Sequence, residues 1–317
     1  ASATDLARML EEEGVRVPPT IMVNATDDHT ATVIWLHSLG EDTSSYLSLP
    51  QSLALPWCRF VIPGAPERPL ALHGGIEQPA WFDMSRIEGE DQGVLQDDLQ
   101  LQYSARRILE LIESEAEQGI SPQRIVIAGF GQGGVVALEA ALECEQRVAG
   151  VVALSAWFVE REGFRLSPQK AGLPALVCHG LADVFINPKL GRRARDYLNS
   201  LGMQAAFKSY DMMGHGFCPK ELVDVHTFIS QVVPRNDSTP KLPAWMEAIV
   251  KQESSGVLGI RTKVTRNLVL TEGRLELFTQ GLGTLLRSFD LQEYAAHPAP
   301  FSPQEMVVTA LEVPVEE

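Results

Sequence analysis

The sequence predicts an α/β protein built on a mostly parallel, doubly wound sheet, followed by a small, mainly β segment. Three observations lead there. Between residues 22 and 233, short Val/Ile-rich runs alternate with longer amphipathic stretches, the pattern of a parallel sheet covered on both faces by helices. A glycine-rich turn, Gly129-Phe130-Gly131-Gln132-Gly133, joins the apolar run IVIA directly to the helical GVVALEAALE. After Pro234 the periodicity changes to short alternating strands around a Glu272-Gly273 turn, a hairpin signature.

The elements follow in order. Residues 4–13 read as a short acidic helix with Leu6, Met9 and Leu10 on one face, ended by Pro18 and Pro19; residues 1–17 are thus a helical extension. Residues 32–36, 59–62, 125–128, 148–154 and 175–178 are buried-strand candidates. Residues 95–118, 134–145, 188–201 and 221–233 carry helical patterns. Together these make a domain over residues 18–234, whose ligands should gather at the carboxyl ends of the strands. The polar, proline-rich PRNDSTPKLP opens a linker over residues 235–250. The last segment, 251–317, offers a hairpin from 266–271 and 274–278, with further strands at 284–291 and 306–313.

Composition narrows the function classes. A chain of 317 residues can bury one large core and a small satellite. Its formal net charge of −15 argues against nucleic acid, which needs clustered Lys and Arg, and more weakly against anionic membranes. No apolar run approaches the ~20 residues of a membrane span, and no signal peptide is visible. Cys58, Cys144, Cys178 and Cys218 are too scattered for a disulfide scaffold or a zinc site. They read as buried thiols of an intracellular, reducing compartment: cytoplasm, or an organelle after loss of a transit peptide. His37, His73, His179, His226 and His297 lack metal-ligand spacing, so neither metal nor cofactor is expected. His179 reads as a packed residue, and Met212-Met213 as packing beneath the loop that follows them.

The chemistry-bearing pattern is an elbow without its reactive group. A strained strand-to-helix turn flanked by glycines presents its central side chain above the sheet. Here that residue is Gly131. A phosphate-binding glycine turn is the competing reading, but G-x-G-x-G-G fits neither a dinucleotide fingerprint nor a P-loop. Asp183, in HGLAD, and His215, in MGHGF, follow in the chain order nucleophile position, acid, histidine. In a working triad the imidazole takes the nucleophile's proton and the carboxylate orients the imidazole.

On these residues the chain resembles the phospholipase/carboxylesterase family of α/β-hydrolases that includes the acyl-protein thioesterases. The likeness runs through VIWLHSLGED, VIPGAPERPL, PAWFDM, GISPQRIVIAGFGQGG, VCHGLAD and SYDMMGHGFCPKELVDVHTFI. It implies backbone oxyanion donors at Leu39 and Gln132, and an acyl groove near Pro79, Trp81 and Phe82 with a helical lead-in at 72–78. Two departures stand out. The family motif G-F-S-Q-G-G has serine where this chain has Gly131, and the family has glycine after the histidine where this chain has Ser38 after His37, a change expected to shift the Leu39 amide. Loss of a triad nucleophile costs on the order of 10⁶ in turnover. As replacement nucleophiles, Ser155 ends a neighbouring strand and Ser38 sits on a different loop, so neither is expected to serve.

Residues 254–313 resemble the opening strands of a pleckstrin-homology domain, a likeness carried by GVLGIRTKVTRNLVLTEGRLELF, TLLRSFDL and MVVTALE. It implies a partial PH-like module with Arg261, Lys263 and Arg266 as candidate lipid-headgroup contacts. The leading expectation is therefore a pseudo-hydrolase: a catalytically impaired thioesterase/carboxylesterase-like binding or structural subunit, with a protein partner or an acyl or lipid ligand. The alternatives are a serine carboxylesterase or thioesterase lacking its nucleophile, one using an unrecognised nucleophile, and a phosphoinositide-binding adaptor.

Overall fold

The computed structural model of the chain describes residues 17–86, 94–158 and 160–235, and the backbone of Arg266–Thr271, Arg274–Thr279 and Leu285–Asp290. The main elements in order are β1 (Ile21–Val23), β2 (Ala31–Leu36), α1 (Leu49–Leu53), β3 (Cys58–Ile62), β4 (Glu67–Leu70), β5 (Ile76–Pro79), β6 (Met84–Arg86), β7 (Val94–Gln96) and α2 (Asp98–Glu117). They continue with β8 (Ile125–Phe130), α3 (Gln132–Glu143), β9 (Gly150–Leu154), β10 (Pro174–Gly180), α4 (Pro188–Ser200), β11 (Gln204–Tyr210) and α5 (Pro219–Val232). Two compact units result, and the larger carries a seven-stranded sheet ordered β1-β3-β2-β8-β9-β10-β11.

This is an α/β-hydrolase sheet, parallel except for β1, which runs antiparallel to β3. β2, β8 and β9 are buried along their whole length, which is why they read as unbroken apolar runs. Register fixes what meets at their carboxyl ends. β2 pairs Ile34 with Ile127 and Leu36 with Gly129, so the residues two further along, Ser38 and Gly131, leave the sheet side by side.

The elbow helix α3 is buried through Leu142, its Val and Ala residues packing among Ile34, Ile127, Val151 and Trp157. Its neighbour α2 turns Leu101, Ala105, Ile108 and Ile112 inward at helical spacing. α2 begins later than the sequence pattern suggests. Asp97 caps it by accepting from the Gln100 amide at 3.0 Å, and Val94–Gln96 pairs with β6 instead. The helical lead-in expected at 72–78 is likewise replaced. A single 3₁₀ turn, Ala71–His73, ends at Gly74 and Gly75, both at positive φ, and the chain returns as β5 against β4.

Cys58, Cys144 and Cys178 are buried free thiols and Cys218 is half-buried. Among the described residues, no helix is long and apolar enough to cross a membrane. The smaller unit contains an antiparallel sheet, β12 (Arg266–Thr271), β13 (Arg274–Thr279) and β14 (Leu285–Asp290), in that order. The expected helix at 4–13, the strand at 306–313, and Arg261 and Lys263 lie outside the described residues, as does the side chain of Arg266.

Candidate active site

At the carboxyl edge of the sheet, Gly131 has the elbow conformation, φ 54° and ψ −121°, between β8 and α3. Only glycine adopts it without strain. Its amide donates to Leu154 O at 2.9 Å, and its carbonyl accepts from the Gly134 amide at 3.0 Å, fixing the turn from both sides. Glycine is required two residues on for a different reason: a Cβ at position 133 would fall 2.4 Å from Leu36 O and 2.5 Å from His37 O. The elbow and the loop after β2 are therefore in direct backbone contact.

That loop is held atom by atom. The Ala65 amide donates to His37 Nε2 at 2.9 Å, so the ring carries its proton on Nδ1, which donates to Ser38 O at 2.8 Å. Burial lowers the pKa of His37, in keeping with this neutral tautomer. The Ser38 amide donates to Glu41 Oε2 at 2.9 Å, and the Tyr46 hydroxyl donates to the same oxygen at 2.5 Å. Trp81 Nε1 donates to His37 O at 2.8 Å. The Gln132 side chain accepts from the Trp81 amide at 2.8 Å and donates to Phe82 O at 2.7 Å. Its amide, at the first position of α3, has no acceptor within the helix.

Asp183 and His215 meet as their order in the chain suggests. His215 Nδ1 lies 2.8 Å from Asp183 Oδ2, with the imidazole between the rings of Phe130 and Phe185 at centroid distances of 4.7 and 5.7 Å. Asp183 Oδ1 accepts from the amides of Phe185 and Ile186, each at 2.9 Å. Burial alone would raise the Asp183 pKa. Hydrogen bonds from His179, His215 and the Ile186 amide outweigh it and hold the carboxyl well below its ordinary value.

Two residues take part here beyond what their spacing in the sequence indicates. His179 is packed as expected, fully buried, and its Nε2 also lies 3.3 Å from Asp183 Oδ2 and 2.9 Å from Ile186 O. The i, i+4 spacing from His179 to Asp183 was the available signal. Ser38 comes from a different loop, yet a Cβ on Gly131 would fall 2.1 Å from Ser38 Oγ, 3.1 Å from Ser38 Cβ and 3.4 Å from His215 Nε2. The hydroxyl of Ser38 sits where a side chain at position 131 would emerge.

Matching runs over residues 19–233 against the family model described as Phospholipase/Carboxylesterase. The chain belongs to the phospholipase/carboxylesterase family. Relatives within this phospholipase/carboxylesterase family include an acyl-protein thioesterase 1 of Gibberella zeae, 32% identical over 70% of this chain and 98% of that protein. Another, from Neurospora crassa, is 33% identical over 68% of this chain and 93% of its own length. The crystal structure of Zea mays acyl-protein thioesterase 2 superposes with a TM-score of 0.61 at 29% identity, covering 68% of this chain and 99% of that one.

The remaining site residues of this phospholipase/carboxylesterase chain divide by exposure. Trp81 and Phe82 are wholly buried, so their rings back the site and do not line an open groove, whereas Leu39 and Pro79 are half-buried. Ser155, at the end of β9 with φ 46°, is wholly buried too. Met213 is buried but Met212 is 69% exposed, so only one of that pair packs beneath the histidine loop. Val184, Phe185 and Met212 form an apolar rim in the loops that carry Asp183 and His215, with Val184 80% and Phe185 63% exposed. A separate hollow at the far end of α3, between α2 and residues 143–146, includes none of these groups.

Proposed function

We propose that the chain hydrolyses carboxylic esters or thioesters of acyl groups at the edge where Gly131, Asp183 and His215 meet. The observation that carries this reading is the 2.8 Å contact from Asp183 Oδ2 to His215 Nδ1, with His215 Nε2 left 3.4 Å from the point where an elbow side chain would start. An imidazole so oriented is a general base aimed at the reaction centre. The amides of Leu39 and Gln132 are the oxyanion donors in this reading, supported by a pinned loop on one side and a helix N-terminus on the other. The apolar rim of Val184, Phe185 and Met212 suits entry of an acyl chain, and relatives named as acyl-protein thioesterases favour a thioester among the substrates.

Gly131 favours a second reading, a pseudo-hydrolase that binds acyl groups or a protein partner without chemistry, because an elbow without Oγ forms no acyl-enzyme there. The test is turnover of p-nitrophenyl butyrate and of a short acyl thioester by the native chain beside His215→Ala. Turnover that disappears with His215 supports hydrolysis. A native chain as inert as the variant supports the second reading.

A further inference from the structure

Resting on the hydrolytic reading above, we propose that Ser38 supplies the nucleophile that the elbow lacks. A hydroxyl from the loop after β2 reaches the point at which the elbow would present its side chain. An elbow side chain would project from the Cβ position on Gly131, and Ser38 Oγ lies 2.1 Å from that position while His215 Nε2 lies 3.4 Å from it. The hydroxyl and the imidazole therefore border the same small volume. Gly131 keeps the elbow backbone geometry, and the space an elbow side chain would fill is taken by the Ser38 hydroxyl.

Three further observations favour a nucleophile over a filler. The Ser38 backbone is fixed at its amide by Glu41 and at its carbonyl by His37, so the hydroxyl is positioned by a rigid loop. Ser38 is only 7% exposed, so the residue is largely shielded from bulk water. The following amide, Leu39, belongs to the same loop, and a nucleophile next in sequence to an oxyanion donor is a workable geometry for acyl transfer.

The step balances without a co-reactant other than water. His215 Nε2 takes the Ser38 Oγ proton as Oγ bonds to the acyl carbon. The tetrahedral oxyanion collapses, breaking the C–S or C–O bond, and the leaving thiolate or alkoxide takes the proton from the imidazolium. Water then gives a proton to His215 and adds to the acyl-serine. The Ser38–acyl bond breaks, Ser38 Oγ is reprotonated, and the carboxylic acid leaves. Substitution at position 131 alone is disfavoured in this arrangement, because the new Cβ must displace Ser38 Oγ and stand 3.1 Å from Ser38 Cβ.

The test is labelling of the full native chain with a fluorophosphonate, read by peptide mass spectrometry, together with hydrolysis of p-nitrophenyl butyrate. The expected result is one adduct on the peptide containing Ser38, lost in Ser38→Ala and in His215→Ala. Turnover should fall about 100-fold or more in Ser38→Ala. In the double variant Ser38→Gly with Gly131→Ser, the adduct should move to position 131. An adduct on any other residue of the native chain overturns the proposal, and labelling of the native protein does not depend on a variant folding. If Ser38→Ala keeps its turnover while His215→Ala loses it, the proposal fails and the hydrolytic reading stands, with His215 activating water directly. If the native chain neither labels nor turns over, both fall.

Discussion

His179 Nε2 lies 3.3 Å from the same Asp183 oxygen that receives His215. A buried carboxylate with two imidazoles and two amides around it is fully satisfied, and each donor contributes to keeping it ionised.

Removing His179 should therefore weaken both the fold and the dyad. His179→Ala leaves Ile186 O and Asp183 each short of a donor, at a cost of about 1–3 kcal/mol, read from urea unfolding. Its hydrogen bonds hold the Asp183 carboxyl below its ordinary pKa of 3.8, so its contribution to stability is present above that pH and lost as pH falls through the native value. In His179→Ala the native pKa rises toward 3.8, and stability should fall less steeply on acidification.

At the elbow, Gly131→Ala should destabilise the chain by about 1–3 kcal/mol through its positive φ, with an added penalty from Ser38. Combining it with Ser38→Gly should recover the steric part and leave the backbone part. Thermal unfolding of the two variants separates them.

Glu139, on α3, has its pKa raised to about 7 by burial, despite Arg161 at 3.2 Å. An acid with a higher pKa folded than unfolded binds more protons in the native state, so stability drops as pH rises from about 4.5 to 7. Glu139→Gln should flatten that slope, changing stability by roughly 3 kcal/mol at most across the window. Urea midpoints at pH 5 and pH 8 measure it.

Gln132→Ala strands the buried Trp81 amide and Phe82 carbonyl. A loss of about 2–4 kcal/mol is expected, with Trp81 fluorescence reporting whether its ring shifts.

Much of this was legible in the chain. The strands around Trp35, Ile127 and Val152 announce themselves because both their faces are buried and so both are apolar. Asp183 and His215 were readable because each follows a strand, in the order this sheet demands. The start of α2 was not, since Leu95 continues an apolar pattern that only Asp97's cap interrupts. His179 was ambiguous for a chemical reason: an imidazole next to Cys178 at a strand end looks the same whether it packs or donates. Ser38 was opaque because its place depends on pairing 93 residues away, Leu36 with Gly129, and no local spacing encodes that register. The likeness implies that Trp81 and Phe82 lie near a groove, and it carries no sign of the Gln132 bridge that ties their backbone into the core.

The burial of α3 divides the site into two mechanical halves. The floor, comprising the elbow and everything bonded to it, is enclosed by packed side chains and cannot widen without opening the core. Under the proposed function, accommodation of acyl groups of different size would therefore fall to the loops bearing Val184, Phe185 and Met212, whose side chains already face water. In the proposed hydrolysis, substrate range would thus rest on a few replaceable outer residues, which can be changed without disturbing the packed floor beneath.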